Sequence, residues 1–198
     1  MESLVPLLAL VGVGYFIYRL IQKTKGMHAA KVALYVDFAE KNQLSHFETK
    51  ELHVRLNHMS GTIEGLKIQI FEQLEASGKN RQIHTTFRIV HDVDLANFNL
   101  FKKTRAGKLG KKMGVKYVDL NNPQFDENYM LRSEDENILQ FFNSQFQNDL
   151  IENRDNYFGE CANKDKFFVY VFRGALLKPE HFEQFEKMIS VFIRKYKA

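Results

Sequence analysis

Four histidines lie in the part of this sequence where polar and apolar residues alternate, and histidine is a frequent metal ligand. A zinc site needs its ligands on one face with converging side chains. Within a regular strand, residues of opposite parity point to opposite faces of the sheet. His53 and His58 differ in parity, and so do His84 and His91. The spacing therefore predicts histidines on strand surfaces and no metal site.

Cys161 is the only cysteine, which excludes a disulfide within the chain and a cysteine-based metal cluster. It lies in a polar segment that we interpret as a turn between two strands, and no histidine neighbours it in sequence. A nucleophilic cysteine needs an adjacent base. We interpret His91, Asp92 and Asp94 as turn residues at a strand end and not as an acid–base set. The sequence thus predicts a non-enzymatic protein without a cofactor.

Residues 102–116 form a strongly basic segment, with seven Lys or Arg, three Gly and no acidic residue. The segment lacks the spacing of a phosphate-binding loop. Three interpretations stay open: a solvated loop, a contact with an anionic membrane surface or a protein, and nucleic acid. No aromatic residue lies between Lys102 and Val115, which disfavours RNA. The candidate contacts with an anionic surface are Lys102, Lys103, Arg105, Lys108, Lys111, Lys112 and Lys116.

An uncharged run covers residues 3–18. When Arg19 is allowed to reach the headgroups, residues 3–22 give a helix of about 30 Å, enough to cross a hydrocarbon core. A cleaved signal peptide would need a basic start and a small-residue cleavage pattern, and neither is present. A buried core helix is disfavoured because the run has no polar face. We therefore predict a single-pass transmembrane anchor over residues 1–26.

The flanks of this run predict its orientation. Arg19, Lys23, Lys25 and Lys31 follow it, whereas only Glu2 precedes it. The positive-inside rule then places the rest of the chain on the cytoplasmic side, or on the matrix side of an organelle.

The remainder predicts an amphipathic connecting helix over residues 27–45, with a possible hinge at Gly26, and a soluble α+β domain over residues 46–198. The apolar stripe of the connecting helix is expected to pack on its own domain, with a partner's helix as the alternative. In the domain we expect a mainly antiparallel sheet with helices packed on it. The predicted turns are a hairpin turn at 60–61 and a turn at 77–80. The predicted strands cover 81–92, 98–101, 125–132 and 156–159, with a further strand at 166–173 that is covered on both faces. The predicted helices run from 133 to 153 and from Pro179 onwards.

One block of the sequence resembles a known family. Residues 107–142 are similar to a bacterial family of membrane-anchored proteins of unassigned function, whose members share a glycine-rich basic stretch followed by a P-x-F-D-x-x-[FY]-x-[VL]-x-S-x-D block. The resemblance extends over about residues 56–198 and implies an N-terminal anchor plus an α+β domain, with no catalytic residues. The residues that match the block are Pro123, Phe125, Asp126, Tyr129, Leu131, Ser133 and Asp135.

Together these features predict a membrane-tethered binding or scaffold module, an accessory subunit of a larger membrane protein complex. The expected partners are the membrane, through residues 3–22, and another membrane-associated protein. The alternative is a domain that binds or senses anionic lipid through the basic segment and an apolar sheet face. Nucleic acid is the least favoured partner.

Overall fold

The computed structural model describes residues 4–77, 80–92, 95–103, 117–135, 137–154 and 158–197. Within these ranges the α+β class is confirmed. The strands are β1 (Ser45–Glu51), β2 (Val54–Ile63), β3 (Leu66–Ser77), β4 (Asn80–Val90), β5 (Phe98–Lys102), β6 (Tyr129–Ser133), β7 (Phe158–Lys164) and β8 (Phe167–Phe172). The helices are α1 (Leu4–Lys41), α2 (Pro123–Asn128), α3 (Ile138–Phe141), α4 (Ser144–Glu152) and α5 (Pro179–Lys197).

The eight described strands form one sheet in the order β1-β2-β3-β4-β8-β7-β5-β6. Every neighbouring pair is antiparallel, as the sequence predicts. The strand predicted at residues 166–173 is β8, and it is a central strand because it pairs with β4 on one side and with β7 on the other. The hairpin between β3 and β4 is also confirmed, because Ser77 and Asn80 are register partners.

The core lies between one face of the sheet and the helices, and phenylalanine supplies much of it. Phe168 and Phe172 of β8 are fully buried, as are Phe185 and Phe192 of α5. The ring centroids lie 4.7 Å apart for Phe168 and Phe192, and 5.8 Å apart for Phe172 and Phe185. Each such pair contributes about 0.5–1.5 kcal/mol beyond the area that it buries. The last helix predicted from Pro179 is thus confirmed, and its apolar face packs on the sheet.

The opposite face of the sheet, called the open face below, carries no helix among the residues that the structure describes. On β8, Val169 and Val171 point to this face and are only half-buried, and Phe167 is 41% exposed. The prediction that residues 166–173 are covered on both faces is therefore wrong. Among the described residues no second layer covers these positions, and the Arg88 guanidinium of β4 lies 5.1 Å from the Phe167 ring.

The first predicted hairpin turn, at residues 60–61, is wrong. β2 continues through it, and the turn lies at residues 64–65, both of which have positive φ. A Cβ at Gly61 would lie 2.9 Å from Leu44 Cδ2 and 3.2 Å from the Gln43 carbonyl oxygen. Glycine stands at this position because the connection between α1 and β1 crosses it closely, not because the chain turns there.

Two other boundaries differ from the prediction. Residues 125–132 begin as helix α2, and only their second half is a strand. The side chain of Asn122 caps α2 by accepting a hydrogen bond from Phe125 N at 3.2 Å. The single helix predicted after β6 is interrupted, because Asn143 caps α4 by accepting from Phe146 N at 2.9 Å. Side-chain caps at these two asparagines restart the helices.

A buried carboxylate, Glu72 of β3, fixes α1 to the sheet. Its Oε2 accepts hydrogen bonds from Lys31 Nζ at 2.8 Å and from the backbone and side-chain nitrogens of Asn57 at 2.9 Å. Its Oε1 accepts from the Tyr35 hydroxyl at 2.9 Å. Burial, and then the nearby Glu72 charge, raises the pKa of Tyr35 well above its ordinary value, so the hydroxyl remains a donor. The apolar stripe of this helix packs on its own domain, as expected.

α1 runs without a break from Leu4 to Lys41 and passes straight through Gly26, where a hinge was expected. Its length is about 57 Å at about 1.5 Å per residue. Every described side chain from residue 15 to residue 27 is exposed. Among the residues described, we find no helix that combines the length and the apolar character needed to cross a membrane. The predicted transmembrane anchor lacks structural support and stays a prediction.

One end of the sheet, called the exit end, is where β1, β3, β8 and β5 all terminate. The strand registers align these four ends across the sheet. α1 runs antiparallel to β1, and His28 Nε2 lies 3.2 Å from Glu48 Oε1 near that end. The N-terminal part of α1 therefore leaves the domain at the exit end. Lys102, the first residue of the basic segment, ends β5 at the same end.

Two lysines of α1 provide a matched test of the Glu72 anchor. Lys31→Met removes the cation from a buried carboxylate, and we expect a loss of about 3–5 kcal/mol in the free energy of unfolding. Lys41 makes an exposed ion pair with Glu186 at 2.7 Å. Lys41→Met should cost less than about 1 kcal/mol. Chemical denaturation followed by circular dichroism measures both, and equal losses would contradict the anchoring role of Glu72.

Candidate functional site

A cavity opens on the open face at the exit end of the sheet. Its volume is about 400 Å³. The floor is apolar, with Phe101 of β5, Met130 of β6 and Val171 of β8. A cavity of this size with an apolar floor and a few polar side chains is the usual form of a small-molecule site.

The shape of the floor depends on a β-bulge in β7. The register of β7 against β8 shifts between Phe158 and Glu160, and Gly159 is the residue between them. A Cβ on Gly159 would lie 2.9 Å from the carbonyl oxygen of Val171 and 3.2 Å from Arg173 Cγ. Glycine lets the two strands approach at this point. The bulge bends β7 beside the cavity, a common role of bulges near functional sites.

Charged groups of both signs surround the apolar floor. His84 Nε2 lies 2.8 Å from Glu75 Oε2, and His84 Nδ1 is buried without a hydrogen-bond partner among the described residues. Lys102, Glu160 and Arg173 also line the cavity. Within the described part of the chain, Arg173 forms no ion pair with a carboxylate. The cavity thus offers two permanent cations and two carboxylates.

A row of stacked side chains crosses the rest of the open face. Phe47 of β1 stacks on His58 of β2 with a centroid distance of 5.1 Å, and His58 stacks on Phe71 of β3 at 6.1 Å. The Arg88 guanidinium lies 4.9 Å from the Phe71 ring and 5.1 Å from the Phe167 ring. Burial in this row lowers the pKa of His58. The row gives the open face an apolar surface that spans five strands.

A pair of carboxyl groups lies beside the basic segment. The side chain of Asp126 in α2 is hydrogen-bonded to that of Asp119. Partial burial, and then the hydrogen bond and charge of Asp119, raises the pKa of Asp126. Lys103 Nζ donates to the backbone carbonyl oxygen of Asp126 at 2.6 Å. In the part of the chain that is described, no three His, Cys, Asp or Glu side chains are placed to hold a metal ion.

The structure describes only the start of the basic segment. Lys102 lines the cavity and Lys103 contacts α2. The other candidate contacts lie outside the described residues, namely Arg105, Lys108, Lys111, Lys112 and Lys116.

The histidines separate as their parity indicates. His84 faces the cavity on the open face, whereas His91 is buried on the helix side, where its Nε2 lies 2.7 Å from Asn163 Oδ1. His58 lies on the open face, and His53 is in the turn between β1 and β2. The parity argument therefore placed His84 and His91 correctly.

The predicted turn position of Cys161 is wrong. The residue lies inside β7, fully buried and paired with Tyr170 and Leu100. Burial raises the pKa of its thiol well above the ordinary value, so the thiolate needed for nucleophilic attack is disfavoured. The turn between β7 and β8 comes later, at Asp165, where φ is positive.

Sequence reasoning missed the cavity itself. The sequence gives no sign that Glu75, Glu160 and Arg173 lie together, because only the order of the strands in the sheet brings them to one cavity. Gly159 was the one available signal, because a glycine inside a strand often marks a bulge.

Comparisons with known proteins give a fold likeness. No family model and no curated protein matches the chain. A solved structure, that of the mycobacterial trehalose monomycolate transport factor A, TtfA, matches with a TM-score of 0.55 and 11% sequence identity. The match covers 86% of this chain and 94% of that chain. At this identity the likeness shows a shared fold.

Replacing Asp126 by Asn tests the carboxyl pair. Because the pKa of Asp126 is raised in the folded state, the fold binds its proton more tightly than the unfolded chain, whose value is 3.8. Stability is therefore lost as the pH rises through the folded-state pKa, and the full penalty is present at neutral pH. We expect Asp126→Asn to raise the melting temperature at pH 7, with the gain vanishing below pH 3.8. The exposed Asp37→Asn is the control, and a gain that does not depend on pH would refute the pair.

Proposed function

We propose that this chain is a non-enzymatic binding module, tethered to a membrane by residues 3–22 and serving as an accessory subunit of a membrane protein complex. The observation that carries the proposal is α1. One end of this helix is locked to the sheet through Glu72, and the other projects from the domain. Tyr15 and Phe16 on the projecting part are 61% and 63% exposed. Exposed aromatic side chains of this kind are typical of a surface that a membrane or a partner covers.

The sequence of residues 3–22 favours the membrane as that cover. The run is apolar and about 30 Å long as a helix, and tyrosines stand near its charged end. The basic residues that follow it favour a cytoplasmic or matrix-side domain. The family resemblance of residues 107–142 points to the same arrangement.

The open face supplies the surface for a protein partner. The row from Phe47 to Phe167 is accessible, with these two rings 51% and 41% exposed. Aromatic and arginine side chains are the residues most enriched at the energetic centres of interfaces. Arg88, held between two rings, fits that composition. The likeness to a protein named as a transport factor is compatible with an accessory role.

A specific observation favours contact with anionic lipid as a second function. α1 leaves the domain at the end of the sheet where Lys102, the first residue of the basic segment, ends β5. If α1 enters a bilayer, the basic segment starts on the side of the domain that faces it. Each Lys or Arg close to an anionic leaflet contributes about 1 kcal/mol, and the effect is lost beyond a Debye length of about 8 Å.

Alkaline carbonate extraction tests the tether. The full chain should stay in the membrane pellet, because only detergent removes an integral anchor. A truncated chain that begins at His28 keeps Lys31 and Tyr35 for the Glu72 anchor, and it should be released into the supernatant. Release of the full chain by carbonate would refute the tether.

Co-sedimentation with liposomes tests the second function. Replacing Lys108, Lys111 and Lys112 by Gln in the truncated chain should cost about 3 kcal/mol of affinity for anionic liposomes at low salt. High salt should weaken the binding of the unmodified chain in the same way. The matched control replaces Lys67, Lys164 and Lys166, near the opposite end of the sheet, by Gln. Equal binding of all three chains would exclude the basic segment.

A further inference from the structure

We propose that the cavity at the exit end binds a zwitterionic phosphoethanolamine headgroup, the head of a phosphatidylethanolamine lipid. The phosphate would be held by Arg173 and Lys102, and the ammonium by Glu160. The lipid source of this ligand rests on the membrane tether proposed above.

The charges of the cavity select the ligand class. Arg173 and Lys102 line one cavity with Glu160 and with Glu75, which holds His84 at 2.8 Å. A purely anionic ligand would meet two carboxylates, and a purely cationic one would meet two fixed cations. A ligand with one phosphate and one ammonium satisfies both signs. Arginine and lysine are the usual hydrogen-bond donors to a phosphate group. A carboxylate accepts hydrogen bonds from a primary ammonium.

The apolar floor of the cavity provides a surface for the part of the lipid beyond the headgroup. Phe101, Met130 and Val171 give the same cavity an apolar lining. A volume of about 400 Å³ accommodates a headgroup with its glycerol and the first part of an acyl chain. Methionine, with its flexible and polarizable side chain, adapts well to a flexible apolar ligand. An amphiphile therefore fits better than a free headgroup.

The position of the cavity brings it to the bilayer surface. The apolar run ends at residue 22, and His28 already contacts Glu48 of the domain. At about 1.5 Å per residue, the helix between these points measures about 9 Å. Because α1 is continuous and locked by Glu72, the exit end is held close to the headgroup layer. The cavity opens at this end.

The test uses the full chain in a neutral detergent and isothermal titration with dihexanoyl lipids that differ only in the head. We expect phosphatidylethanolamine to bind about tenfold or more tightly than phosphatidylcholine, whose trimethylated nitrogen cannot donate hydrogen bonds to a carboxylate. Phosphatidylglycerol, which lacks the ammonium, should also bind more weakly. Soluble phosphoethanolamine is the free-headgroup arm and should bind more weakly than the lipid. Equal or tighter binding of the free headgroup would overturn the lipid assignment.

Single variants test each half of the headgroup. Arg173→Gln and Glu160→Gln should each weaken phosphatidylethanolamine binding about tenfold. The matched control is Lys164→Gln, on the same strand as Glu160 and on the same face, at the opposite end of the sheet, and it should bind as the unmodified chain does. Melting temperatures check that each variant is folded. Tighter binding by Glu160→Gln would mean that the site prefers an anion, and would overturn the proposal.

The two proposals fail separately. A chain that stays in the carbonate pellet but does not distinguish the lipid heads keeps its tether and loses this site. A chain that carbonate releases but that still selects phosphatidylethanolamine in detergent keeps the site and loses the tether.

Discussion

The buried carboxylate of Glu72 is the constraint on which the arrangement of this molecule depends. A charged group with a fully buried side chain must be paired and fully hydrogen-bonded, since an isolated one costs several kcal/mol. Lys31, Tyr35 and Asn57 meet that requirement together. They come from α1 and β2, so the same network that neutralises Glu72 also sets the position and rotation of the helix. Apolar packing alone would leave α1 freer to slide.

The two faces of the sheet differ: one face packs in the core and stabilises the fold, and the other carries the groups that could bind a partner. On one face the helices and rings such as Phe168 and Phe192 form a dense aromatic core. The described part of the other face has no helical cover and carries the stacked row, the cavity and most of the groups that could recognise a partner. Substitutions such as those at Arg173 can therefore alter recognition without disturbing the core. The bulge at Gly159 is where the two requirements meet, because it shapes the cavity from within a central pairing.

The sequence predicted the elements that have a clear period and missed those set by distant contacts. β4 and α5 have regular apolar spacing, and both were placed correctly. β1 was missed because its residues are mostly exposed and polar, and it is a strand only because β2 pairs with it. Gly61 was misread because its neighbour Leu44 is far from it in the chain. The same holds for the candidate site. Lys102 could be singled out from the sequence because it belongs to a basic run. Glu160 and Arg173 could not, because only the order of the strands brings them to the cavity.

The continuity of α1 has a mechanical consequence. A helix without a break, fastened to the sheet at one end, transmits tilt and rotation as a stiff rod, so any torque applied to its N-terminal half reaches the β-domain with little loss. The helix bends most easily at Gly26. No neighbouring atom lies within 4 Å of the Cβ position there. Glycine also weakens a helix by about 1 kcal/mol relative to alanine. This residue would determine how faithfully the two ends move together.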